Sequence, residues 1–233
     1  MNNQFTRTQL LFTDPIYKKI TEKKIIIFGV GGVGGACVDA LVRMGFKSIT
    51  FVDYDTVNET NLNRQVFTNI ANIGMYKCLA LENHILEINK DIKIDYKIKK
   101  LTDNLEDFNL CDFDFVIDAI DSITSKLNLI EFCYNNSIPI VSSMGTGNRI
   151  NASELAIMDI YETNYDPLAK VMRRELRKRN VKKLRVVSST APAYCKSIQE
   201  VNKAKPTPLS VSYVPPVSGY LMVSEVINTL MRG

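Results

Sequence analysis

Four closely spaced glycines between an apolar run and a helical pattern constrain the fold of this chain more than any other feature. They are Gly29, Gly31, Gly32 and Gly34. Residues 24–28 form a short β-branched run typical of a buried strand, and residues 32–44 have helical periodicity. Glycine allows a backbone to turn tightly and approach phosphates, and the N-terminus of a helix attracts an anion. The pattern predicts a strand–turn–helix nucleotide site that suits NAD, FAD or ATP equally well.

The rest of the chain alternates apolar runs with helical patterns. Strands are predicted at residues 48–52, 92–98, 113–117, 138–143, 155–160 and 183–188, and further helices at 74–89, 125–135 and 217–231. Such alternation predicts an α/β fold, with a Rossmann-like, mostly parallel sheet and helices on both faces. We interpret residues 1–233 as one domain, with a nucleotide-binding half at 1–145 and a substrate-facing half at 146–233. The second half is predicted to contain a basic helix and a proline-rich crossover loop.

Composition and cysteine spacing predict a folded protein with reduced thiols. The chain has 233 residues, of which 45% are hydrophobic and 23% charged, enough for one domain with a full core. Its five cysteines form no CxxC pair, so we expect no structural zinc and buried thiols at Cys37, Cys78 and Cys133. The N-terminus lacks a signal-peptide pattern, and no apolar stretch is long enough to cross a membrane. We therefore expect a cytoplasmic protein.

Polar residues downstream of the glycines favour a triphosphate that is cleaved over a dinucleotide that is only held. Asn61 and Arg64 follow the second predicted strand, Lys77 lies in the first turns of the next helix, and Asp121 follows the fourth strand. Open α/β sheets bind ligands at these carboxyl ends. Two cations can neutralise a triphosphate and one carboxylate can hold Mg²⁺, whereas nicotinamide chemistry needs neither. Asp53 has the spacing of a carboxylate that accepts from ribose hydroxyls.

These motifs resemble the ThiF/MoeB/HesA superfamily of adenylating enzymes, which also contains the ubiquitin-activating enzymes. The matching segments are Gly29-x-Gly-Gly-x-Gly34, Asp53-x-Asp55, Asn61-x-x-Arg64-Gln65, Lys77 and Asp118-x-x-Asp121. Residues 142–149, 166–177 and 210–216 are similar to the branch that dehydrates threonylcarbamoyladenosine in tRNA. The sulfur-carrier activators of the superfamily usually carry two CxxC pairs, and this sequence has none.

The resemblance implies an ATP-dependent ligase that requires Mg²⁺ and works through an acyl adenylate. In the tRNA branch, the activated carboxylate belongs to threonylcarbamoyladenosine at position 37, and ring closure releases AMP. The residues implied to bind ATP are Gly29, Gly31, Gly32, Gly34, Asp53, Asp55, Asn61, Arg64, Gln65 and Lys77. Arg64, Lys77 and Asp121 are implied to be catalytic, with Asp121 as the metal ligand. The resemblance also implies a homodimer in which Arg7 reaches the phosphates across the interface.

A basic segment at residues 170–185 is the second functional signal. It contains nine lysines and arginines and one acid, Glu175, although the net charge of the chain is only +4. Nucleic-acid backbones select localised positive stripes of this kind, while a solvated helix face is the competing interpretation. Together with the resemblance, the segment predicts a tRNA contact. The candidate residues are Arg149, Arg173, Arg174, Arg177 and Lys178.

Two other functions remain open on the sequence alone. One is adenylation of the C-terminal carboxylate of a ubiquitin-like or sulfur-carrier protein, which would favour a nucleophilic Cys195 and a sulfurtransferase partner. The other is a dinucleotide-binding module without chemistry. His84 is the only histidine, and we expect it to be an exposed helical residue rather than a general base.

Overall fold

The computed structural model describes residues 3–102, 105–199 and 207–232. Within these residues, seven strands and seven α-helices form the framework. The strands are β1 Ile25–Phe28, β2 Ser48–Val52, β3 Lys93–Lys97, β4 Phe115–Asp118, β5 Ile140–Ser143, β6 Leu155–Asp159 and β7 Arg185–Ser189. The helices are α1 Thr6–Phe12, α2 Asp14–Thr21, α3 Gly34–Met44, α4 Lys77–Ile88, α5 Ile123–Asn135, α6 Pro167–Lys178 and α7 Val214–Arg232.

The described strands form a single sheet in the order β3-β2-β1-β4-β5-β7-β6. All neighbouring strands are parallel except β6, which runs antiparallel to β7. Ile25 of β1 is in register with Ile49 on one side and Phe115 on the other. The strand order reverses between β1 and β4, and ligands bind beside such a switch point in open α/β sheets. The predicted α/β fold with a mostly parallel sheet is confirmed.

Helices cover both faces of the sheet, as predicted. Ile25 and Ile27 pack in a core cluster that includes side chains of α3, α4 and α7. Ile26 and Phe28 pack on the opposite face with Leu129 of α5. Because successive side chains of a strand point to opposite faces, the run of four buried β1 residues requires helices on both sides. Each fully buried isoleucine or phenylalanine contributes roughly 1.5–3 kcal/mol to folding.

Helix α7 brings the second half of the chain against the glycine turn. Gly219 of α7 lies so close to α3 that a Cβ there would be 2.4 Å from Val33 O. At the start of the same helix, Pro215 Cβ is 3.0 Å from the position of a Cβ on Gly32. Small residues at these contacts let the two backbones approach closely. The glycine turn therefore has one wall from α7.

Two element boundaries differ from the predictions for local reasons. Helix α4 begins at Lys77 rather than at residue 74, because Gly74 has a φ of +86° and cannot belong to a right-handed helix. Helix α7 begins at Val214 and contains Pro215 and Pro216 in its first turn. Proline is tolerated there because the first N–H groups of a helix have no partner within it. Part of the predicted crossover loop, residues 200–206, lies outside the described residues.

The N-terminal helices α1 and α2 were not predicted. Helix α1 has seven residues and none of them is buried, so it leaves no periodic apolar pattern in the sequence. Thr13 separates the two helices with a φ of +64°, and Pro15 starts α2 in the position that proline favours. Only Ile20 and Thr21 of α2 are buried.

The thiols are placed as their helical positions suggested. Cys37, Cys78 and Cys133 are buried and free, as expected, whereas Cys111 is exposed and Cys195 half-buried. Burial raises the pKa of Cys78 to about 12 and that of Cys133 to about 12. Among the helices that the structure describes, none combines the length and the apolar character needed to cross a membrane.

Candidate active site

The glycine turn connects β1 to α3 with almost no spare space. Gly29 has a φ of +83°, and a Cβ there would lie 2.7 Å from Ala119 O in the turn after β4. A Cβ on Gly34 would lie 1.8 Å from Gly29 O. Gly31 is different, because its nearest neighbour would be Gln65 Nε2 at 3.9 Å. Gly29 and Gly34 therefore set the shape of the turn, while Gly31 lines an open space.

That open space is a cavity of about 290 Å³ at the carboxyl ends of β1, β2 and β4. It brings together most of the residues that the sequence assigned to the nucleotide: Gly29, Gly31, Gly32, Asp53, Asp55, Asn61, Arg64, Gln65, Lys77 and Asp121. Gly34 does not line the cavity, and its place is in the packing of the turn. Residues from four separate segments thus meet beside the switch point of the sheet.

Asp53 fixes the backbone at the end of β2. Its Oδ2 accepts from Val30 N at 2.8 Å, and its Oδ1 accepts from Asp55 N at 2.8 Å. Burial raises the pKa of Asp53, an effect that the nearby Lys77 and the two backbone N–H groups oppose in part. The carboxylate ties the glycine turn to the segment after β2 and still borders the cavity.

Lys77 places an ammonium group in the wall of the cavity. It is the first residue of α4, and its Nζ donates to Asp55 Oδ2 at 2.7 Å. The Lys77 side chain is 9% exposed, whereas that of Asp55 is 48% exposed. The pair is therefore open on the Asp55 side, where an anionic ligand can compete for the lysine.

Arg64 and Asn61 lie on the segment between β2 and α4. Asn61 ends a short 3₁₀ turn and its Oδ1 accepts from Asn58 N at 3.0 Å. The Arg64 Nη1 donates to Thr60 O and to Asn63 Oδ1, both at 2.9 Å. Burial lowers the pKa of Arg64, which starts so high that the guanidinium stays charged. These two partners are neutral, so the charge of Arg64 can act on a ligand.

Two further polar groups face the same cavity. Asp121 is exposed and lies in the turn between β4 and α5. Gln65 is only 3% exposed, and its Oε1 has no hydrogen-bond partner among the described residues. A buried amide oxygen without a partner is unfavourable, so a ligand or water that donates to it would be stabilised.

One side of the cavity consists of residues that the sequence motifs did not indicate. Lys99, Lys100 and Leu101 line it after β3, together with Tyr54. Lys100 Nζ lies 5.3 Å from the centroid of the Tyr54 ring, and Lys99 contacts the carboxylate of Asp107. These lysines could have been found from their position shortly after a parallel strand, because open α/β sheets bind ligands at the carboxyl ends of their strands.

Arg149 is the clearest correction to the predicted tRNA contacts. Its side chain is 3% exposed, and its guanidinium donates to Gly145 O at 3.1 Å and Ala191 O at 2.6 Å. It also lies 3.7 Å from the buried carboxylate of Asp166, which caps α6. Because its side chain is buried and hydrogen-bonded within the protein, Arg149 is not part of an accessible surface.

The remaining candidates lie on α6 and divide into two groups. Arg173 is half-buried and donates to Thr163 O at 2.6 Å, so it anchors α6 to the preceding segment. Arg174, Arg177 and Lys178 are exposed. Arg174 and Lys178 pair with Glu175, but exposed ion pairs are weak and leave these cations free to meet a phosphate.

Three other predicted residues lie outside the cavity lining. Arg7 is exposed on α1. Cys195 lies in the segment after β7, half-buried. The prediction of an exposed His84 is wrong: the side chain is half-buried, because its Nε2 lies 2.8 Å from Asp39 Oδ1 on α3. It joins two helices away from the cavity.

Comparison with known proteins gives consistent matches. Residues 5–232 match the model of the ThiF family. The tRNA threonylcarbamoyladenosine dehydratase of Bacillus subtilis (strain 168) is 33% identical over 244 residues, covering 100% of this chain and 96% of that protein. The protein of the same name from Escherichia coli (strain K12) is 33% identical over 175 residues, covering 75% of this chain and 65% of that protein.

The solved structures agree with these sequence matches. The crystal structure of E. coli tRNA N6-threonylcarbamoyladenosine dehydratase, TcdA, superposes with a TM-score of 0.88 at 28% identity. The superposition covers 98% of this chain and 94% of the other. A structure of the same E. coli protein in complex with ATP gives the same TM-score, identity and coverage.

Proposed function

The chain belongs to the ThiF family, and on that premise we propose that it is an ATP-dependent tRNA threonylcarbamoyladenosine dehydratase. The observation that carries the proposal is the cavity in which the glycine turn, Arg64, Lys77 and Asp121 meet. The B. subtilis relative of that name matches this chain along its whole length, and the E. coli relative has been solved with ATP. A tRNA substrate also agrees with the expected cytoplasmic location.

The proposed reaction has two steps. An oxygen of the substrate carboxylate attacks the α-phosphorus of ATP, the bond to the β-phosphate breaks, and pyrophosphate leaves. An atom within the same threonylcarbamoyl group then attacks the activated carbonyl carbon, and AMP leaves as a proton is lost. The net change is the loss of water from the modified nucleoside. A carboxylate is a poor electrophile, so the enzyme contributes mainly positioning and charge stabilisation.

The roles of the cavity residues follow from their chemistry. The glycine turn and the start of α3 offer backbone N–H groups and a positive helix end to the phosphates. Asp53 and Asp55 would accept from the ribose hydroxyls, and Asn61 and Gln65 would add polar contacts. Arg64 and Lys77 stabilise charge on the departing pyrophosphate. Lys77 would leave Asp55 for the nucleotide, which is a stronger anionic partner.

The donor set fits Mg²⁺ bound together with the nucleotide. The described residues contain no group of three or more His, Cys, Asp or Glu side chains that can hold a metal by themselves. Mg²⁺ is usually bound by one or two carboxylates plus substrate phosphates, and Asp121 supplies such a carboxylate at the cavity. When bound, Mg²⁺ offsets phosphate charge. Asp121 is the residue proposed to hold it.

A dimer and a tRNA surface complete the proposal. Arg7 lies on α1, where Leu10 and Leu11 are 77% and 78% exposed, and such apolar exposure supports burial against a second copy. Arg7 would then reach the partner subunit's phosphates. On α6, Arg174 and Lys178 would contact the tRNA backbone, so that the second half of the chain binds the substrate while the first half binds ATP.

The test is the release of AMP and pyrophosphate by the purified protein. One sample receives tRNA that carries threonylcarbamoyladenosine, and its control receives the same tRNA without the modification. The proposal requires release only with the modified tRNA, and a nucleoside product lighter by one water. ATP turnover without a response to tRNA would instead indicate a protein or small-acid carboxylate. No ATP chemistry at all would leave a nucleotide-binding module.

Point variants test the residue roles in the same assay. Arg64→Ala and Asp121→Ala should each lower turnover by roughly 10²–10³-fold, the scale for removing one electrostatic contact to the transition state. His84→Ala is the matched control, because His84 lies away from the cavity, and its turnover should be close to wild type. Near-normal turnover in either cavity variant would contradict the assigned role.

A further inference from the structure

A fully buried ion pair lies next to the turn that carries Asp121, the candidate metal ligand. Lys126 Nζ is 2.9 Å from Asp118 Oδ2, and both side chains are 0% exposed. Removing two charges from water is costly, and a well-packed apolar pair of similar volume is often at least as stable. Stability alone therefore does not account for this pair, and its geometry is the more informative property.

Hydrogen bonds from the pair extend into the turn between β4 and α5. Asp118 Oδ2 also accepts from Ser142 Oγ at 2.6 Å, and its Oδ1 accepts from Ile120 N at 3.2 Å. The Lys126 ammonium donates to Ile120 O at 3.0 Å. Both backbone groups of Ile120 are thus held by buried charged side chains, and hydrogen bonds to charged groups are the stronger ones.

The same turn forms a wall of the cavity. Ala119 N donates to Phe28 O at 2.9 Å, and Ala119 O is the atom that a Cβ on Gly29 would meet at 2.7 Å. Asp121 follows Ile120 immediately and faces the cavity. A shift of the Ile120 peptide would therefore move both the carboxylate of Asp121 and the surface against which the glycine turn packs.

We propose that Lys126 is a positioning residue that holds the Asp121 carboxylate in place for the magnesium–nucleotide complex. The inference rests on the proposed function, because it assumes that Asp121 binds the metal. Lys126 acts at a distance, through Asp118 and the Ile120 backbone, and does not touch the ligand. Groups that orient a metal ligand typically affect metal affinity or activity by about 10–100-fold when removed.

The test variant is Lys126→Met combined with Asp118→Asn. Lys126→Met alone would leave the buried Asp118 carboxylate without an opposite charge, which strongly destabilises proteins, whereas the double variant removes both charges. The asparagine side chain is nearly the same size as the aspartate that it replaces. Calorimetry measures the affinity for a non-hydrolysable ATP analogue at increasing Mg²⁺ concentrations. The midpoint is the Mg²⁺ concentration at which half of the total change in this affinity has occurred. We expect this midpoint to rise by about 10–100-fold.

Two further variants keep the test decisive. Ser142→Ala removes one hydrogen bond to the same carboxylate without leaving a charge unpaired, and should raise the midpoint less. The matched control is Lys23→Met with Asp114→Asn, which removes a partly exposed pair with an Nζ–Oδ1 distance of 2.8 Å beside the start of β4. Its midpoint should equal that of the wild type.

The outcomes separate this inference from the proposed function. Asp121→Ala is measured in the same titration. If it raises the midpoint while neither the buried-pair variant nor Ser142→Ala does, the positioning role of Lys126 is wrong and the metal role of Asp121 stands. If nucleotide binding by the wild type does not respond to Mg²⁺, or Asp121→Ala has no effect, both the metal role and the positioning role are wrong.

Discussion

Two glycines of the phosphate turn should respond in opposite ways to the same added methyl group. In Gly34→Ala, the new Cβ would lie 1.8 Å from Gly29 O and 3.3 Å from Ala119 Cβ. The first contact is with backbone, so the turn itself must move by roughly 1 Å or more to reach an ordinary distance. Overpacking of this kind costs about 1–3 kcal/mol. For a domain of this size, each kcal/mol lowers Tm by about 2–4 °C.

Gly31→Ala should leave folding almost unchanged and impair nucleotide chemistry. Its Cβ would have one neighbour within 4 Å, Gln65 Nε2 at 3.9 Å, and the backbone does not require a left-handed conformation. Substitutions without a structural conflict usually change stability by less than about 0.5 kcal/mol. The methyl group would nevertheless project where the phosphates approach the backbone. A displacement of about 1 Å at a reacting centre can lower turnover by about 10²-fold.

Thermal unfolding measures stability, calorimetry with an ATP analogue measures nucleotide affinity, and the release of AMP and pyrophosphate measures turnover. Gly74→Ala is the control for backbone strain, because Gly74 has a φ of +86° but nothing within 4 Å of a Cβ. It should lower stability by about 1–2 kcal/mol and leave nucleotide affinity intact. A Gly34→Ala variant that melts at the wild-type temperature, or a Gly31→Ala variant with wild-type turnover, would refute the geometry described for the turn.

Three further predictions concern thiols, pH and salt. Iodoacetamide should modify Cys195 in the native protein but not Cys78, because Cys78 is buried and its burial raises the thiol pKa to about 12. Peptide mass spectrometry measures which thiol is modified. Burial raises the pKa of Asp53, so as the pH falls this carboxylate becomes protonated at a higher pH than an ordinary aspartate does. We expect the affinity for ATP to decline as the ionised form of Asp53 is lost. The Asp53→Asn variant should not show this decline. Arg174→Ala with Lys178→Ala should reduce the salt slope of tRNA binding by about one per charge removed, and an unchanged slope would exclude α6 from the tRNA contact.

The sheet was predictable because burial leaves a strong mark on the sequence. The predicted strand at 48–52 coincides with β2, and the other six differ from the observed strands by at most a few residues. Helix α1 could not be found in this way, because it is only seven residues long and none of them is buried. Amphipathic periodicity detects elements that bury one face, whereas the recorded contact of α1 with the core is made by one partly buried residue, Phe12.

The part of the candidate site that lies at the carboxyl ends of the strands was predictable from the sequence. Parallel strands bring their carboxyl ends together, so Asp53, Arg64 and Asp121 could be expected to meet before their contacts were known. The same rule applied to Lys99 and Lys100, but the sequence does not show that the chain after β3 turns back over the cavity. Proximity to a strand end therefore predicts candidates, and the path of the following loop selects among them.

Arg149 shows why positive charge in a sequence does not indicate a surface. Its partner Asp166 comes 17 positions later and caps a different element, so only the fold reveals that the pair is enclosed. Arg173 is also held inward, by Thr163, ten positions earlier. A count of basic residues treats these arginines like Arg174, although only the last can leave its partner at little cost.

The contacts of Asn63 connect the nucleotide site to the second half of the chain. Its Oδ1 accepts from Arg64 Nη1 at 2.9 Å, and its Nδ2 donates to Ser210 O at 3.1 Å in the segment before α7. One amide therefore contacts both the cation proposed to stabilise pyrophosphate and the segment that leads into α7. Under the proposed function Arg64 acts on the phosphates, so any movement of its guanidinium away from Asn63 would leave the bond to Ser210 as a remaining contact of this amide.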